Sequence, residues 1–112
     1  MSFHLLLINW LNNSFEWKLL GSITGVNAIT LPNNFNELFA TVGINTNATV
    51  LCSFSIPRIA LTEETKEFAN VYSTDNNGYC GIKVSLSQII IKDVYNGTNN
   101  IKNSSRLTVY YR

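Results

Sequence analysis

The feature that most constrains this chain is a two-residue alternation of apolar and polar side chains in several short runs. Such alternation is typical of half-buried β-strands, because successive side chains of a strand point to opposite faces of the sheet. In three runs the apolar residues are predicted to point inward: Leu38, Ala40, Val42 and Ile44; Val50, Cys52, Phe54 and Ile56; Cys80, Ile82, Val84 and Leu86. Polar residues between them are predicted to face outward: Ser53, Ser55, Lys83 and Ser85.

Four more runs are predicted to be strands: residues 17–23, 69–73, 88–94 and 106–111. In the last run Tyr111 is expected to point inward and Tyr110 outward. Gly43 inside a strand predicts a bulge, and Pro57 is expected to end its strand because it has no N–H for the ladder. Residues 62–68 have helix-like character, enough for a single turn. Residues that tolerate positive φ supply the turns, at 45–47, 75–78 and 96–97.

About seven or eight short strands at this spacing predict an all-β fold, an antiparallel β-sandwich or jelly-roll-like domain. We expect one such domain at residues 15–112, preceded by a short apolar N-terminal arm at residues 1–14. The 112-residue chain is 13% charged, about half of the usual ~25%, so uncharged residues must supply its polar surface: 16 Asn, 10 Ser and 10 Thr. A net charge of +1 argues against a broad basic face for nucleic acid.

The arm is the most concentrated apolar segment, with six large apolar side chains in residues 5–11. It lacks the basic start and small-residue cleavage site of a signal peptide, and nothing in the chain is long enough to insert in a membrane. Leu7, Trp10 and Leu11 stand at helical spacing, although Leu5, Leu7 and Asn9 also alternate. These side chains need a partner surface, on this domain, a neighbouring subunit or another protein.

Residues that usually carry catalysis are sparse. His4 is the only histidine, and a cluster of three glutamates near residue 65 is expected to be a solvated surface. Cys52 and Cys80 show no C-x-x-C spacing, so no zinc site is expected. They are interpreted as two buried thiols, with a disulfide open to them if their strands are neighbours. No cofactor or metal is expected, and the chain is predicted not to be an enzyme.

Aromatic side chains on an Asn-rich surface suit sugar faces and protein interfaces, because they combine apolar area with hydrogen-bonding tips. About half of the aromatic residues are expected to fill the core instead. At turns and strand ends, four residues are predicted to face an outside partner: Tyr72, Asn76, Tyr79 and Tyr95.

Short motifs along the chain resemble a group of small bacteriophage proteins from phages of gut bacteria. The motifs are Trp17-Lys18-Leu19-Leu20-Gly21-Ser22-Ile23-Thr24-Gly25, Ile29-Thr30-Leu31-Pro32, Phe35-Asn36-Glu37-Leu38, Ser53-Phe54-Ser55-Ile56-Pro57 and Leu107-Thr108-Val109-Tyr110-Tyr111-Arg112. The likeness covers roughly residues 15–112 and includes no catalytic signature.

The resemblance implies a tail, fibre-tip or head-decoration module in the phage particle. It implies a β-sandwich, often a trimer, used for host-surface attachment or for capsid or tail decoration. The expected partners are further copies of the chain, other virion proteins and host-surface glycan. Two other functions stay open, a generic interaction domain and a carbohydrate- or small-ligand-binding module. The latter includes a phage anti-defence protein that sequesters a signal molecule.

Overall fold

A computed structural model of the protein describes residues 16–112. These residues form nine β-strands and two short 3-10 turns, with no α-helix among them, and the strands pack as two antiparallel sheets. The predicted β-sandwich is confirmed. The strands are β1 Lys18–Thr24, β2 Ala28–Thr30, β3 Glu37–Ile44, β4 Val50–Pro57, β5 Lys66–Ser73, β6 Gly78–Val84, β7 Gln88–Asn96, β8 Asn99–Asn100 and β9 Ser105–Tyr111. The 3-10 turns are Arg58–Ala60 and Lys102–Ser104.

The described chain crosses between the two layers four times. The first sheet has the strand order β1-β9-β3-β4, and the second has the order β2-β7-β6-β5 with β8 paired to β7. All of these pairs are antiparallel. The last strand therefore lies between β1 and β3, which brings the carboxyl end of the chain beside the first described residues. In the part of the chain described, no helix is long and apolar enough to cross a membrane.

The core lies between the sheets and contains most of the predicted inward residues of β3, β4, β6 and β9, although Ile44 at the end of β3 is only half-buried. Leu38, Ala40, Val42, Ile82 and Val109 are each fully buried, as alternation predicts for a face that meets a second sheet. The turn predictions also hold. Two residues with positive φ lie at predicted turns: Asn77, with φ of 51°, and Gly97, with φ of 67°.

A bulge makes the prediction for Val50 wrong. Val42 pairs with Cys52, but Gly43 pairs with Val50, so Leu51 is the extra residue of β4. The bulge inverts the alternation, and Val50 is 59% exposed instead of buried. Gly43 is required here because a Cβ at this position would lie 2.2 Å from the Thr49 carbonyl oxygen.

Two other local predictions, for Ser85 and for residues 62–68, are also wrong. Ser85 was expected to face outward but is buried, since it follows the end of β6 and its hydroxyl accepts hydrogen bonds from the backbone N–H groups of Ser87 and Gln88. The segment 62–68 contains no helical turn, because β5 begins at Lys66 and pairs with β6. Tertiary pairing overrides a weak local preference for helix there.

Candidate docking face

The outward side of the first sheet gathers large apolar residues from four strands or their ends. Leu19 of β1 pairs with Tyr110 of β9, and Tyr110 pairs in turn with Phe39 of β3. Paired residues point to the same side of a sheet, and their inward neighbours are core residues, so this row points away from the core. Trp17 precedes β1 and lies beside Phe39, while the bulge turns Val50 to the same side. We call these five residues the aromatic face.

The aromatic rings of this face contact one another without forming a flat platform. The ring centroids of Trp17 and Phe39 are 6.1 Å apart with planes inclined at 57°, and those of Phe39 and Tyr110 are 6.5 Å apart at 43°. The tilted rings, with Thr41 and Val50, line an apolar depression of about 490 Å³. A tilted, mostly apolar depression suits protruding apolar side chains better than the flat face of a sugar ring.

The aromatic face leaves much apolar surface in contact with solvent. Trp17 is 40% exposed, Leu19 62% and Val50 59%, which is half of the large hydrophobic residues that are exposed in residues 16–112. The other three, Val26, Ile59 and Val71, lie apart on turns or on the other sheet. Scattered apolar residues are ordinary on a protein surface, whereas a contiguous group marks an interaction surface.

Hydroxyl groups and two arginine side chains, Arg106 and Arg112, border the aromatic face. Ser22 and Thr108 share a hydrogen bond of 2.9 Å beside it. The Arg106 guanidinium donates to Ser22 Oγ at 3.2 Å and to Asn45 Oδ1 at 3.1 Å. The face therefore has a polar border in which each charge is held by partners of its own chain.

The second of these arginines is Arg112, the last residue of the sequence. The Arg112 guanidinium carbon lies 4.3 Å from the centroid of the Trp17 ring, and Arg112 also pairs with Glu37. Trp17 nevertheless stays 40% exposed. A cation over an indole ring is worth about 0.5–1 kcal/mol at an exposed site.

The predicted contact residues Tyr79 and Tyr95 lie on the opposite layer, the outward side of the second sheet. Their centroids are 5.0 Å apart and their planes are inclined at only 22°, so the rings stack on each other. Val71, which is 67% exposed, pairs with Tyr79 and completes a row across three strands. We call Val71, Tyr79 and Tyr95 the tyrosine row. Asn76 is exposed in the turn between β5 and β6, near the end of this row.

Tyr72, the fourth predicted contact residue, is positioned differently. Its ring packs against the core and across Gly78, where a Cβ would lie 2.6 Å from the ring. Its hydroxyl donates a hydrogen bond of 2.7 Å to the carbonyl oxygen of Tyr95. Burial raises the pKa of the Tyr72 hydroxyl above its ordinary value. The Tyr72 ring therefore packs on the core side of the sheet, whereas the rings of Tyr79 and Tyr95 lie on the outward side. A role for any of these three residues in binding stays a prediction.

Three charged residues of the second sheet are paired or recessed: Lys92, Glu67 and Asp93. Lys92 Nζ lies 2.9 Å from Glu67 Oε2, and this hydrogen bond lowers the pKa of Glu67 and raises that of Lys92. Gly81 leaves room for Asp93, whose Oδ1 is 2.7 Å from where a Cβ of Gly81 would lie. That oxygen is buried and has no hydrogen-bond partner among residues 16–112.

The other candidates from the sequence do not form a site in the described part of the chain. Leu7, Trp10 and Leu11, with His4, lie outside the described residues. Glu63 and Glu64 are exposed in the loop before β5, whereas Glu67 lies in β5 and pairs with Lys92. Within residues 16–112, no group of three or more His, Cys, Asp or Glu side chains could hold a metal ion.

Sequence reasoning missed the aromatic face as a unit, although one signal for it is present. Phe39 is a large apolar residue that lies out of phase with Leu38 and Ala40, and alternation places it on the outward side. Tyr110 was predicted outward as well. The remaining step, that β9 lies beside β3, depends on strand order, which alternation does not specify.

The fold and this face define a class, an antiparallel two-sheet sandwich with an exposed aromatic face. No protein-family model, curated protein or solved structure matches the chain.

Proposed function

We propose that this chain is a non-enzymatic binding module of a bacteriophage particle that associates with further copies of itself through the aromatic face. The observation that carries the proposal is the grouping of Trp17, Leu19 and Val50, all exposed, around Phe39. Burying apolar surface is worth roughly 25 cal/mol per Å², so leaving this face in water forgoes a favourable contact.

A second copy of the chain is the occupant that the charges of this face favour. Arg106, Arg112 and Glu37 lie at its border, and each already has partners within its own chain. Aromatic faces of copies gathered around a common symmetry axis, as in a homotrimer, would meet across apolar rings and hydroxyl rows, with no array of like charges to repel them. A strongly acidic or basic partner would find no matching charge there.

The size of the face also bears on the assembly. Four strands at ~4.8 Å spacing and about three outward rows give a surface of roughly 400 Å² per copy. A stable interface buries about 1,200–2,000 Å² in total, so this face alone falls short. The proposal therefore includes further buried area from Leu7, Trp10 and Leu11. It also includes a homotrimer or other closed assembly, in which each copy contacts two neighbours.

The phage context rests on the sequence motifs and not on the geometry. In that context the module is part of the virion and contacts other virion proteins, either as decoration of the capsid or tail or in attachment to host-surface glycan. Its low charge and abundant amide and hydroxyl side chains suit an exposed particle surface. Mass spectrometry of purified particles would detect the chain as a stoichiometric component.

A matched pair of substitutions tests the aromatic face. Val50 and Val71 are both exposed valines on edge strands, β4 of the first sheet and β5 of the second. Val50→Lys is expected to weaken self-association at least tenfold, because a charge would enter the apolar contact, whereas Val71→Lys is expected to leave it unchanged. Light scattering after size-exclusion chromatography measures both. A monomeric unmodified chain, or equal effects of the two variants, would refute the proposal.

A second candidate function, binding of a glycan or another small ligand, is favoured by the tyrosine row. Tyr79 and Tyr95 offer a stacked pair of rings, and Tyr95 shares β7 with Asp93 and Lys92. Aromatic rings next to polar groups are typical of sugar sites. A glycan array and a nucleotide thermal-shift screen test this candidate, and any ligand found should lose affinity with Tyr79→Ala but not with Tyr110→Ala.

A further inference from the structure

The two cysteines occupy facing positions in the core of the sandwich. Cys52 lies in β4 of the first sheet, and Cys80 lies in β6 of the second. Cys52 is 5% exposed and Cys80 is fully buried, so both side chains point inward from opposite layers. Both thiols are free.

Hydrogen bonds and strand pairing link the surroundings of the two cysteines through Asn70. The Cys52 thiol donates to the carbonyl oxygen of Asn70 at 3.4 Å, and Asn70 is the direct cross-strand partner of Cys80. The Asn70 side chain in turn donates to the Ser53 carbonyl oxygen at 2.6 Å, which ties β5 to β4 at the same level. The neighbouring Cys52 thiol also helps to raise the pKa of the Cys80 thiol, after burial, which agrees with facing positions in the core.

We infer that Cys52 and Cys80 are an oxidisable pair that forms a disulfide between the two sheets when the chain folds in an oxidising medium. A disulfide requires Cα atoms about 4.4–6.8 Å apart and converging Cβ atoms. Inward side chains from facing strands, which share Asn70 as a neighbour, direct the two thiols toward each other. The inference goes beyond the proposed function, since it involves no residue of the aromatic face.

The reaction with oxidised glutathione balances as two exchange steps. One cysteine thiolate attacks the glutathione disulfide, forms a mixed disulfide and releases one glutathione thiolate. The second cysteine thiolate then attacks the protein-bound sulfur and releases the other glutathione. One S–S bond breaks and one forms, and the two protons lost by the cysteines end on the two glutathione molecules.

The folded core restricts when this reaction takes place. Burial raises the pKa of the Cys80 thiol, and the hydrogen bond with Cys52 raises it further. The thiolate is the attacking species, so a buried thiol that stays protonated reacts slowly. The bond should therefore form while strands are still open and should resist reduction once the core has closed.

Oxidative refolding of the unmodified chain is the direct test. The denatured, reduced chain is refolded with reduced and oxidised glutathione, and remaining thiols are then alkylated in denaturant. We expect an intact mass lower by two hydrogen atoms, no alkylation, and a cross-linked peptide that joins Cys52 to Cys80. The bond closes a loop of about 28 residues, so the melting temperature should rise by about 10–15 °C over the reduced chain.

Two comparisons complete the test. Cys80→Ala treated in the same way should keep one thiol or one glutathione and show no such rise in melting temperature. The already folded, reduced chain should react far more slowly than the refolding chain. Two alkylatable thiols after oxidative refolding to the native circular dichroism spectrum would overturn the inference, as would a disulfide that lowers the melting temperature. Neither result bears on the aromatic face, whose test is self-association.

Discussion

The outward sides of the two sheets differ in how their exposed side chains contact one another. On the second sheet, Tyr79 stacks on Tyr95 and Lys92 pairs with Glu67, so exposed groups find partners within the sheet. On the first sheet, Trp17 and Phe39 contact each other at an angle and leave an open apolar depression. A surface whose groups are already partnered gains little from a contact, whereas an unpartnered apolar surface gains from being covered.

The largest effect is expected from a substitution at the β3–β4 bulge. This bulge turns Val50 outward and so contributes to the difference between the two sheets. Gly43→Ala would place a Cβ against the Thr49 carbonyl oxygen, a backbone atom that cannot move aside. We expect a loss of about 3 kcal/mol in the free energy of unfolding, measured by chemical denaturation. Gly21→Ala is the control in β1, because its Cβ would meet only the movable end of the Ile29 side chain at 3.3 Å. Equal losses in the two variants would contradict this explanation of the bulge.

A matched pair of tyrosines separates assembly from stability on the two faces. Tyr110→Ser is expected to weaken self-association about tenfold, which corresponds to about 1.4 kcal/mol. Tyr79→Ser removes a stacked ring worth about 0.5–1.5 kcal/mol, so it should lower stability and leave self-association unchanged. Light scattering and thermal unfolding measure the two quantities. If Tyr79→Ser alone disrupted assembly, the second sheet and not the first would carry the interface.

Tyr72→Phe tests how much the hydrogen bond from the Tyr72 hydroxyl contributes to stability. The change removes the hydrogen bond to the Tyr95 carbonyl oxygen and should cost about 1 kcal/mol in the free energy of unfolding. The raised pKa of the Tyr72 hydroxyl means that its contribution is present below about pH 10 and is lost as pH rises through the folded-state pKa. Alkaline unfolding of the phenylalanine variant should lack this component. An unchanged alkaline profile would show that another group controls it.

The smallest expected effect concerns the ion pair of the second sheet. Both partners are substantially exposed, so Glu67→Gln should lower the melting temperature by only about 1 °C. The folded-state pKa of Glu67 lies below its ordinary value of 4.5, so the pair stabilises above that value and its contribution disappears as pH falls through the folded-state pKa. The difference between variant and unmodified chain should also shrink in high salt. A difference that persists at low pH would point to packing instead of charge.

Much of the fold could be predicted from local pattern, while the candidate site could be predicted only in pieces. Alternation correctly identified the inward residues of β3 and the outward position of Tyr110, because a strand imposes its period on any sequence. It failed at Val50, because a bulge shifts the phase of the strand by one residue. The two shortest strands, β2 and β8, escaped prediction because two or three residues are too few to display a period.

The sequence by itself determined the period of the strands, the positions of the turns and the shortage of charge, since each depends on neighbours only a few residues apart. Tertiary structure alone decided which strands lie side by side. It brought Trp17 and Tyr110, from opposite ends of the described chain, to the same face as Phe39, and it set Cys52 opposite Cys80. The reason is physical: alternation says which side of a strand faces the core, whereas the choice of neighbouring strand depends on how the whole set of apolar faces can be buried together.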